Sequence, residues 1–423
     1  YYPESYRRWF VMRCFDALND FGAGRDRRAA AEAQRLSLET QRDVLDGRRL
    51  GAGYNRVVTR FLRDEHGSLL REFECASELQ LMAAAKENET ARTRNVGLVL
   101  ETRPDHIDEA EVERLRRLGC TKVQIGYQSL SDEILRVNKR GHDVAATRNA
   151  MRLLRRAGFK ILAHLMPNLL GATPASDIED IARVFDDPDF RPDELKVYPC
   201  SVVESAELVR HLEDGSYRPY THEELLAVLC ELLRRAPRYC RLARVIRDIS
   251  SSDIVAGNRL SNFREIAEAA LRVGGERAVE IRSREIRGAA DAGRPCLRTT
   301  SYTTSSGEER FIEFVHEQDD RILGFCRLSL PRERSFIDEL GSSALLREVH
   351  VYGASQALGE RAEGRAQHRG YGRRLIDEAC VQAAACGFSS LAVISAVGTR
   401  AYYRERGFSD GALYQHRALA GSR

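Results

Sequence analysis

Apolar and polar residues along the first half of the chain form a pattern that predicts strands separated by helices. Short apolar runs typical of buried strands occupy residues 96–101, 122–126, 160–165 and 194–199. Helical spacing of apolar residues fills the intervals, over residues 108–118, 131–136, 143–157 and 176–185. Such alternation is typical of βα units on a parallel sheet. Four units fit an open sheet or part of a barrel, and spacing alone does not choose between them.

Helical spacing also extends to both sides of this alternation. Residues 4–21 place aromatic side chains on one side of a helix, and residues 262–273 predict a further helix. Residues 222–247 resemble a basic helical pair. The polar stretch from 24 to 75, rich in arginine and alanine, predicts helices plus a mobile loop.

The pattern changes to strands after Gly274 and Gly275. Strand-like runs follow at residues 310–317, 321–330, 346–353 and 391–395, with one helix over 372–386. We therefore predict a βα domain over residues 1–247, a linker over 248–290 and a second domain over 291–423.

The composition is that of a soluble globular protein. The chain has 423 residues, of which 43% are hydrophobic and 30% charged. No apolar run approaches the ~20 residues of a membrane span, and there is no signal-peptide pattern. A net charge of +3 neither requires nor excludes nucleic acid as a partner. Ten cysteines without a C-x-x-C pair predict reduced thiols in a cytoplasmic protein and give no metal site.

A glycine-rich segment, Q-H-R-G-Y-G-R-R-L (367–375), lies between a strand and a helix. A helix N-terminus offers unpaired N–H groups and partial positive charge, so it binds phosphate well. Glycine lets the backbone approach such a group closely. An ordinary glycine-rich turn is the alternative. The residues concerned are Gln367, His368, Arg369, Gly370, Tyr371, Gly372 and Arg373.

The order of strands, glycine loop, helix, strand and the run A-Y-Y-R-E-R-G-F (401–408) resembles the GNAT acetyltransferases. The resemblance implies that the glycine loop, together with His350, Val351, Tyr402 and Tyr403, binds acetyl-CoA. Tyr403 matches a family tyrosine that can protonate the departing thiolate, and Tyr402 is the second catalytic candidate. Plain aromatic packing is the alternative. Glu348 and His350 are weaker candidates for a base.

Several further runs resemble one family, that of the catalytic subunit of Elongator, which modifies the wobble uridine of tRNA. They lie at residues 88–105, 119–129, 138–142, 157–169, 195–199, 247–258 and 347–353. The resemblance covers roughly residues 1–20 and 80–423. It implies an α/β fold class, with a partial (β/α) radical S-adenosylmethionine barrel followed by a GNAT α+β domain.

Polar residues near the carboxyl ends of the predicted strands form a candidate pocket. Ligands of parallel βα folds gather at these ends. The candidates for binding S-adenosylmethionine and substrate are Glu101, Arg103, Gln124, Gln128, His164, Met166 and Tyr198, and Lys196 is a catalytic candidate. Each of them alone could equally be a structural hydrogen-bonding residue.

Basic residues suggest where tRNA would bind, because phosphate contacts supply much of RNA affinity. The candidates are Lys139, Arg140, Arg148, Arg152, Arg155 and Arg156. A solvated helix face is the alternative.

The chain departs from the family in three places. The family binds a [4Fe–4S] cluster through three closely spaced cysteines ahead of the first residue here, and nothing in the chain matches them, so we expect an N-terminal truncation. Many relatives hold zinc in the linker, where this chain has Ala278, Glu280 and Ser283. We therefore predict no zinc there. Asn168 stands where the family commonly has aspartate.

The resemblance implies a tRNA modification enzyme that adds a carboxymethyl-type group to wobble uridine, using acetyl-CoA and S-adenosylmethionine. Two alternatives stay open: a protein lysine acetyltransferase of GNAT type with a degenerate barrel, and a non-enzymatic tRNA-binding subunit. A homodimer or accessory subunits are compatible with each of them.

Overall fold

A computed structural model of the protein describes residues 2–26, 75–246, 251–286, 294–352 and 370–419. The contacts divide the chain into two compact units. The first contains Tyr1–Leu98, Arg117–Gly119 and Ser395–Glu405, and the second contains the remainder. Most of the stretch predicted as helices plus a mobile loop, residues 27–74, lies outside the described residues.

The elements are numbered in chain order. The helices are α1 (Glu4–Ala23), α2 (Glu78–Asn88), α3 (Glu109–Arg117), α4 (Asp132–Val137), α5 (Val144–Arg156), α6 (Pro174–Asp186), α7 (Leu208–Glu213), α8 (His222–Arg235), α9 (Phe263–Val273), α10 (Ile281–Arg284), α11 (Tyr371–Ala385) and α12 (Arg400–Arg404). The strands are β1 (Val99–Thr102), β2 (Lys122–Gln128), β3 (Lys160–Leu165), β4 (Glu194–Val197), β5 (Val202–Val203), β6 (Arg241–Val245), β7 (Ile254–Ala256), β8 (Pro295–Thr304), β9 (Gly307–His316), β10 (Ile322–Pro331), β11 (Ala344–Val351), β12 (Ser390–Val393), β13 (Ser409–Asp410) and β14 (Gln415–Ala418).

The first unit is built on the pairing of α1 and α2. Asn19 donates from Nδ2 to the carbonyl of Ala84 at 3.0 Å, and Asn88 donates to Oδ1 of Asn19 at 2.7 Å. Ser77 and Gln80 form a capping box at the start of α2. The helix predicted over 4–21 is confirmed, whereas α2 was not predicted.

The second unit contains a five-stranded parallel sheet in the order β1-β2-β3-β4-β6. The strands follow one another without the reversal that marks a doubly wound sheet. Sequential parallel strands separated by helices are the arrangement of a (β/α) barrel. The sheet confirms the βα prediction and fits part of such a barrel.

The two faces of this sheet differ in polarity. On β2, Val123, Ile125 and Tyr127 are fully buried, and α5 contacts β2 and β3. Because successive side chains point to opposite faces, Lys122 and Gln124 lie on the other face. The polar residues of β3 and β4 follow the same alternation, so the face turned away from the apolar core carries the polar groups.

The prediction of a helical pair over residues 222–247 is half wrong. Residues 222–235 form α8, but residues 241–245 form β6, which pairs in parallel with β4. The short run R-L-A-R-V fits a helix or a strand by spacing alone. The hydrogen-bonding edge of β4, which is distant in sequence, decides in favour of the strand.

The second unit also contains a seven-stranded mixed sheet in the order β13-β14-β12-β11-β10-β9-β8. Helix α11 packs on β9, β10 and β11. The strands predicted near 310–317, 321–330, 346–353 and 391–395 are confirmed as β9 to β12. Strands β8, β13 and β14 were not predicted; half of the residues of β8 are exposed, and the strand is rich in threonine and serine.

The segment that leads into the mixed sheet is organised around one carboxylate. Glu280 is fully buried and accepts from the backbone N–H of Leu242 at 2.9 Å and of Ser283 at 2.8 Å. Arg264 of α9 donates to the same carboxylate at 2.6 Å. Glu280 thereby ties α10 to β6 and α9 by hydrogen bonds and an ion pair.

We expect Glu280→Ala to lower the free energy of unfolding by about 2 kcal/mol, because it leaves buried donors without an acceptor. EDTA should leave the melting temperature of the unmodified protein unchanged, because protein groups supply the hydrogen-bond donors and the cation that this carboxylate needs. Differential scanning fluorimetry measures both effects. A fall in melting temperature on chelation would show that a metal ion supports this segment.

Within the described ranges, every helix is too short or too polar to cross a bilayer. No disulfide joins the ten cysteines, all of which lie in described ranges.

Candidate functional site

Three polar side chains on neighbouring strands form a row on the polar face of the parallel sheet. Lys196 of β4 donates from Nζ to Oε1 of Gln124 on β2, at 2.6 Å. The same oxygen lies 2.9 Å from Nε2 of His164 on β3. Gln124 therefore connects the other two residues. The structure brings together three residues that the sequence predicted for one pocket.

His164 is neutral in this environment. Burial lowers the pKa of its imidazole to about 4, and the positive charges of Lys196 and Lys122 act in the same direction. Since Oε1 of Gln124 can only accept, Nε2 of His164 carries the hydrogen and Nδ1 is an acceptor. Nδ1 lies 3.8 Å from Oε1 of the exposed Glu101 on β1.

Lys196 has no acidic partner among the residues that the structure describes; its one hydrogen bond is to the neutral amide of Gln124. A cation that is withdrawn from water without a counter-ion is costly. The arrangement therefore suits a ligand that brings negative charge or a lone pair to this nitrogen. The ring of Tyr198, 5.9 Å from that of His164, borders the same row.

The carboxyl ends of β2 and β3 are fixed to each other at Gln128 and Met166. The N–H of Met166 donates to the carbonyl of Gln128 at 2.8 Å. Gln128 has a positive φ of 65°, and its amide folds back over Gly126. A Cβ at Gly126 would lie 2.2 Å from Nε2 of Gln128, so only glycine leaves room for this conformation.

Arg103 lies just beyond β1 and pairs with Asp105 through two contacts, Nε–Oδ1 at 2.9 Å and Nη2–Oδ2 at 2.7 Å. Its guanidinium also contacts Gly141, in the loop that carries Lys139 and Arg140. Two groups of residues from different predicted sites, the pocket and the tRNA-binding surface, are therefore neighbours.

At the amino ends of the same strands, the polar face continues into ion pairs with the mixed sheet. Lys160 of β3 contacts Glu194 at 2.7 Å and also pairs with Glu348 of β11. Arg327 of β10 donates to Glu348 at 2.8 Å. Burial alone would raise the pKa of Glu348, but Lys160 and Arg327 lower it overall. Glu348 is therefore a poor base, contrary to its candidacy from sequence.

A second group of ion pairs lies beside this one and is almost completely buried. Arg347 of β11 contacts Asp193, which precedes β4, at 2.7 Å through each of two nitrogens, and Glu309 of β9 at 2.8 Å. Arg155 of α5 lies 3.6 Å from Glu309. We call Asp193, Glu309, Arg155, Arg327 and Arg347 the buried ion cluster.

The helix arginines suggested for tRNA differ in accessibility. Arg155 is 2% exposed and belongs to the buried ion cluster, so it cannot contact RNA in this conformation. Arg148 is bound by Asp187 and Asp189, and Arg156 donates to the carbonyl of Arg334. Arg152 is bonded to Asn149 within its own helix. The helical spacing identified a common region of sequence but not which arginines face solvent.

The glycine loop is described from Gly370 onward; Gln367, His368 and Arg369 lie outside the described residues. Gly370 is the N-cap of α11 with a positive φ of 71°, and no described residue lies within 4 Å of the position a Cβ would take there. Tyr371 and Gly372 are buried, whereas the side chain of Arg373 is 75% exposed. The start of α11 offers unpaired N–H groups, which is the feature of a helix that binds anions.

His350 and Val351 lie at the end of β11. His350 packs between Phe325, with ring centroids 5.7 Å apart, and Tyr352, at 4.4 Å. Val351 is half-buried beside it.

Tyr402 and Tyr403 lie on α12, in the first unit, with their rings perpendicular at 5.4 Å. Tyr403 is 8% exposed. Glu89, almost completely buried, accepts from Arg400 at 2.9 Å and from Arg404 at 2.8 Å. These two ion pairs hold α12 against the residues that follow α2.

Two family models match the chain between residues 71 and 272, and individual relatives match most of its length. The radical SAM superfamily model matches residues 71–185, and the radical SAM C-terminal domain model matches residues 192–272. The tRNA uridine(34) acetyltransferase of Dehalococcoides mccartyi is 38% identical over 78% of this chain and 74% of its own length. That of Methanocaldococcus infernus is 32% identical over 98% of this chain and 69% of its own length.

A eukaryotic relative and one solved structure agree with these matches. Elongator complex protein 3 of Danio rerio is 34% identical over 82% of this chain, which spans 64% of that protein. The structure of archaeal Methanocaldococcus infernus Elp3 with an N-terminal deletion superposes with a TM-score of 0.75 at 36% identity, covering 80% of this chain and 82% of that one.

Proposed function

The chain belongs to the family of tRNA uridine(34) acetyltransferases and Elongator complex protein 3, and from that membership we propose that it is an acyltransferase that modifies uridine 34 of tRNA with acetyl-CoA and S-adenosylmethionine. The observation that carries the proposal is the Lys196–Gln124–His164 row, which lies on the sheet matched by the radical SAM models. The finer claim is that the product carries a carboxymethyl-type group at C5.

On the parallel sheet, the chemistry of the row suits an uncharged heterocycle with a polar edge. Lys196 supplies a cationic donor, and Nδ1 of the neutral His164 supplies an acceptor. A uracil ring offers carbonyl oxygens to the first group and an N–H to the second. Gln124 keeps both side chains in place. Gln128, Met166 and Tyr198 border the pocket and Glu101 stands at its exposed edge, where S-adenosylmethionine would bind.

On the mixed sheet, the start of α11 at Gly370 suits the pyrophosphate of acetyl-CoA. Tyr371, Gly372 and Arg373 provide the following N–H groups, and His350 and Val351 end the neighbouring strand. Tyr403 is our candidate for the general acid that protonates the thiolate when the thioester is cleaved, with Tyr402 beside it.

The radical SAM match implies S-adenosylmethionine and an iron–sulfur cluster, which would generate the initiating radical when bound. In the described part of the chain, no three His, Cys, Asp or Glu side chains converge so as to hold a metal ion. We therefore name no cluster ligand and derive no step from the cluster.

The partner proposed here is the anticodon region of tRNA, contacted by Lys139, Arg140 and the exposed parts of Arg148, Arg152 and Arg156. A cytoplasmic location agrees with ten cysteines that form no disulfide. That the protein forms a homodimer or acts with accessory subunits stays a prediction.

The test is acetyl-CoA hydrolysis by this chain, with tRNA carrying uridine at position 34 and with the same tRNA carrying cytidine there. We expect only the uridine form to stimulate hydrolysis. Gly370→Glu should abolish hydrolysis by placing a negative charge where pyrophosphate binds, and Tyr403→Phe should reduce it about 100-fold through loss of the general acid.

Gly387→Glu is the matched control for Gly370→Glu. Gly387 follows the other end of α11, has a positive φ of 87° and likewise has nothing within 4 Å of its Cβ position. Equal losses in the two variants would reflect strain rather than ligand binding. If tRNA does not change the rate of acetyl-CoA hydrolysis and a lysine peptide is acetylated, the result favours a protein acetyltransferase. If the chain binds tRNA but hydrolyses no acetyl-CoA, the result favours a non-enzymatic subunit.

A further inference from the structure

Arg140 is a half-buried cation that has no counter-ion among the described residues. It makes no ion pair and no side-chain hydrogen bond with any residue that the structure describes. Burial lowers the pKa of its guanidinium, and the nearby positive charge of Arg103 lowers it further. A charge in such a position normally has a partner, because the loss of hydration must be compensated.

The backbone around Arg140 is shaped to bring it close to Arg103. Gly141 has a positive φ of 75°, and a Cβ there would lie 2.4 Å from Nη2 of Arg103. A side chain at this position would strain the backbone and displace the Arg103 guanidinium, whereas glycine accommodates both. Lys139, the residue before Arg140, also has a positive φ, of 53°. The two residues on either side of Arg140 thus have left-handed backbone conformations, and the second of them lies against the Arg103 guanidinium.

The charges at this place do not balance. Arg103 is compensated by Asp105, which it contacts through two nitrogens. Lys139 pairs with Glu207, and Arg136 pairs with Glu133 at 2.7 Å. Arg140 is the cation that is left over. Counting the ion pairs of the described residues, Arg140 contributes a positive charge here that one bound anion would neutralise.

We propose that Arg140 and Arg103 form a binding site for one phosphodiester group of the RNA substrate at the carboxyl end of β1. The proposal rests on the proposed function for the identity of the RNA and deepens it by assigning one phosphate to one site. A guanidinium presents a planar pair of donors that matches two phosphate oxygens. Because Arg140 is partly withdrawn from solvent, we expect this contact to exceed that of an exposed arginine on the same segment.

The experiment measures the affinity of this chain for an anticodon stem-loop RNA at salt concentrations between 0.05 and 0.3 M. Loss of one phosphate contact should reduce the slope of log K against log salt by about 0.7–0.9. Arg140→Gln should therefore bind about 5- to 8-fold more weakly at 0.1 M salt. Arg136→Gln is the matched control, because Arg136 lies four residues away, is 70% exposed and already has an acidic partner; its slope should stay that of the unmodified chain.

If the slope of log K against log salt changes equally in the two variants, RNA binds a diffuse basic surface. If the slope changes in neither variant, Arg140 does not contact RNA. Either result overturns the proposal. Weaker S-adenosylmethionine binding by Arg140→Gln with an unchanged RNA slope would identify the anion as the carboxylate of that molecule, which also overturns it.

A separate measurement with inorganic phosphate distinguishes this site from the proposed function. At matched ionic strength, phosphate should raise the melting temperature of the unmodified chain and of Arg136→Gln but not that of Arg140→Gln. If the unmodified chain binds no RNA and phosphate still acts through Arg140, the tRNA function fails while the anion site stands with another ligand. If phosphate has no effect through Arg140, the anion site itself is refuted.

Discussion

Replacing Asp193 with alanine is expected to lower the free energy of unfolding by about 3–5 kcal/mol, the effect of removing one partner from a buried ion pair. Asp193 is fully buried and contacts both nitrogens of the Arg347 fork at 2.7 Å. It also accepts from the backbone N–H of Ile161 at 2.8 Å. The variant would leave a buried guanidinium and a buried N–H without their acceptor.

The large effect follows from where the buried ion cluster lies. Arg155 comes from α5, Asp193 precedes β4, and the other members come from β9, β10 and β11, so the cluster joins the parallel sheet to the mixed sheet. After the substitution Glu309 still contacts Arg347, and Glu348 still accepts from Arg327. These two carboxylates then serve three guanidinium groups and Lys160, so part of the buried positive charge is left without compensation. Water that enters to hydrate these groups would separate the two sheets.

Asp193 of the cluster and the neighbouring Glu194 predict how the stability of the fold depends on pH. Burial alone would raise the pKa of Asp193, but Arg347 and Arg327 hold it well below its usual range. Glu194 behaves in the same way, since Lys160 and Lys122 outweigh its burial and lower its pKa to about 2. Both pKa values are lower in the folded chain than in the unfolded one, so the two groups stabilise the fold at neutral pH. That contribution is lost as pH falls from about 5 toward 2.

Urea unfolding at pH 7 and at stepwise lower pH measures both effects. Glu133→Gln, which breaks the exposed pair with Arg136, is the control and should leave the unfolding midpoint unchanged. An Asp193→Ala protein whose midpoint equals that of Glu133→Gln would show that the cluster contributes no net stability.

Local patterns in the sequence were sufficient to predict the repeated βα units. The alternation of buried strands and amphipathic helices gave β2, β3, α5 and α6 within a few residues, because those elements are determined by their own side chains and caps. Residues 241–245 were assigned wrongly for the opposite reason. Their five residues carry no decisive period, and pairing with β4 across more than 40 residues of chain settles their conformation.

The candidate pocket was predictable because polar residues at strand ends are conspicuous. The Lys196–Gln124–His164 row could be anticipated from three strand-like runs whose carboxyl ends meet. The buried ion cluster could not, since its members are scattered from Arg155 to Arg347 and each resembles an ordinary surface charge. Arg155 illustrates the limit: helical spacing places it with exposed arginines, but the mixed sheet covers it.

The second large effect is expected for Lys196→Met, measured in the active holoenzyme. Formation of modified uridine 34 should fall by about 100-fold or more, the cost of removing a preorganised donor from a water-poor site. Stability should stay the same or rise, because methionine replaces a cation that has only a neutral amide as its partner. Mass spectrometry of tRNA nucleosides measures the product, and thermal unfolding measures stability.

Lys122→Met separates this interpretation from a structural one. Lys122 lies on the same face of the sheet, but it pairs with Glu194, so its loss should lower the melting temperature while product formation continues. A residue that only supports the fold would lose activity and stability together. Lys196 is expected to lose activity alone, which is the behaviour of a group whose charge is held for a ligand. If Lys196→Met instead lowers stability as much as Lys122→Met does, the lysine serves the sheet, and the row on β2, β3 and β4 is a structural hydrogen-bond network.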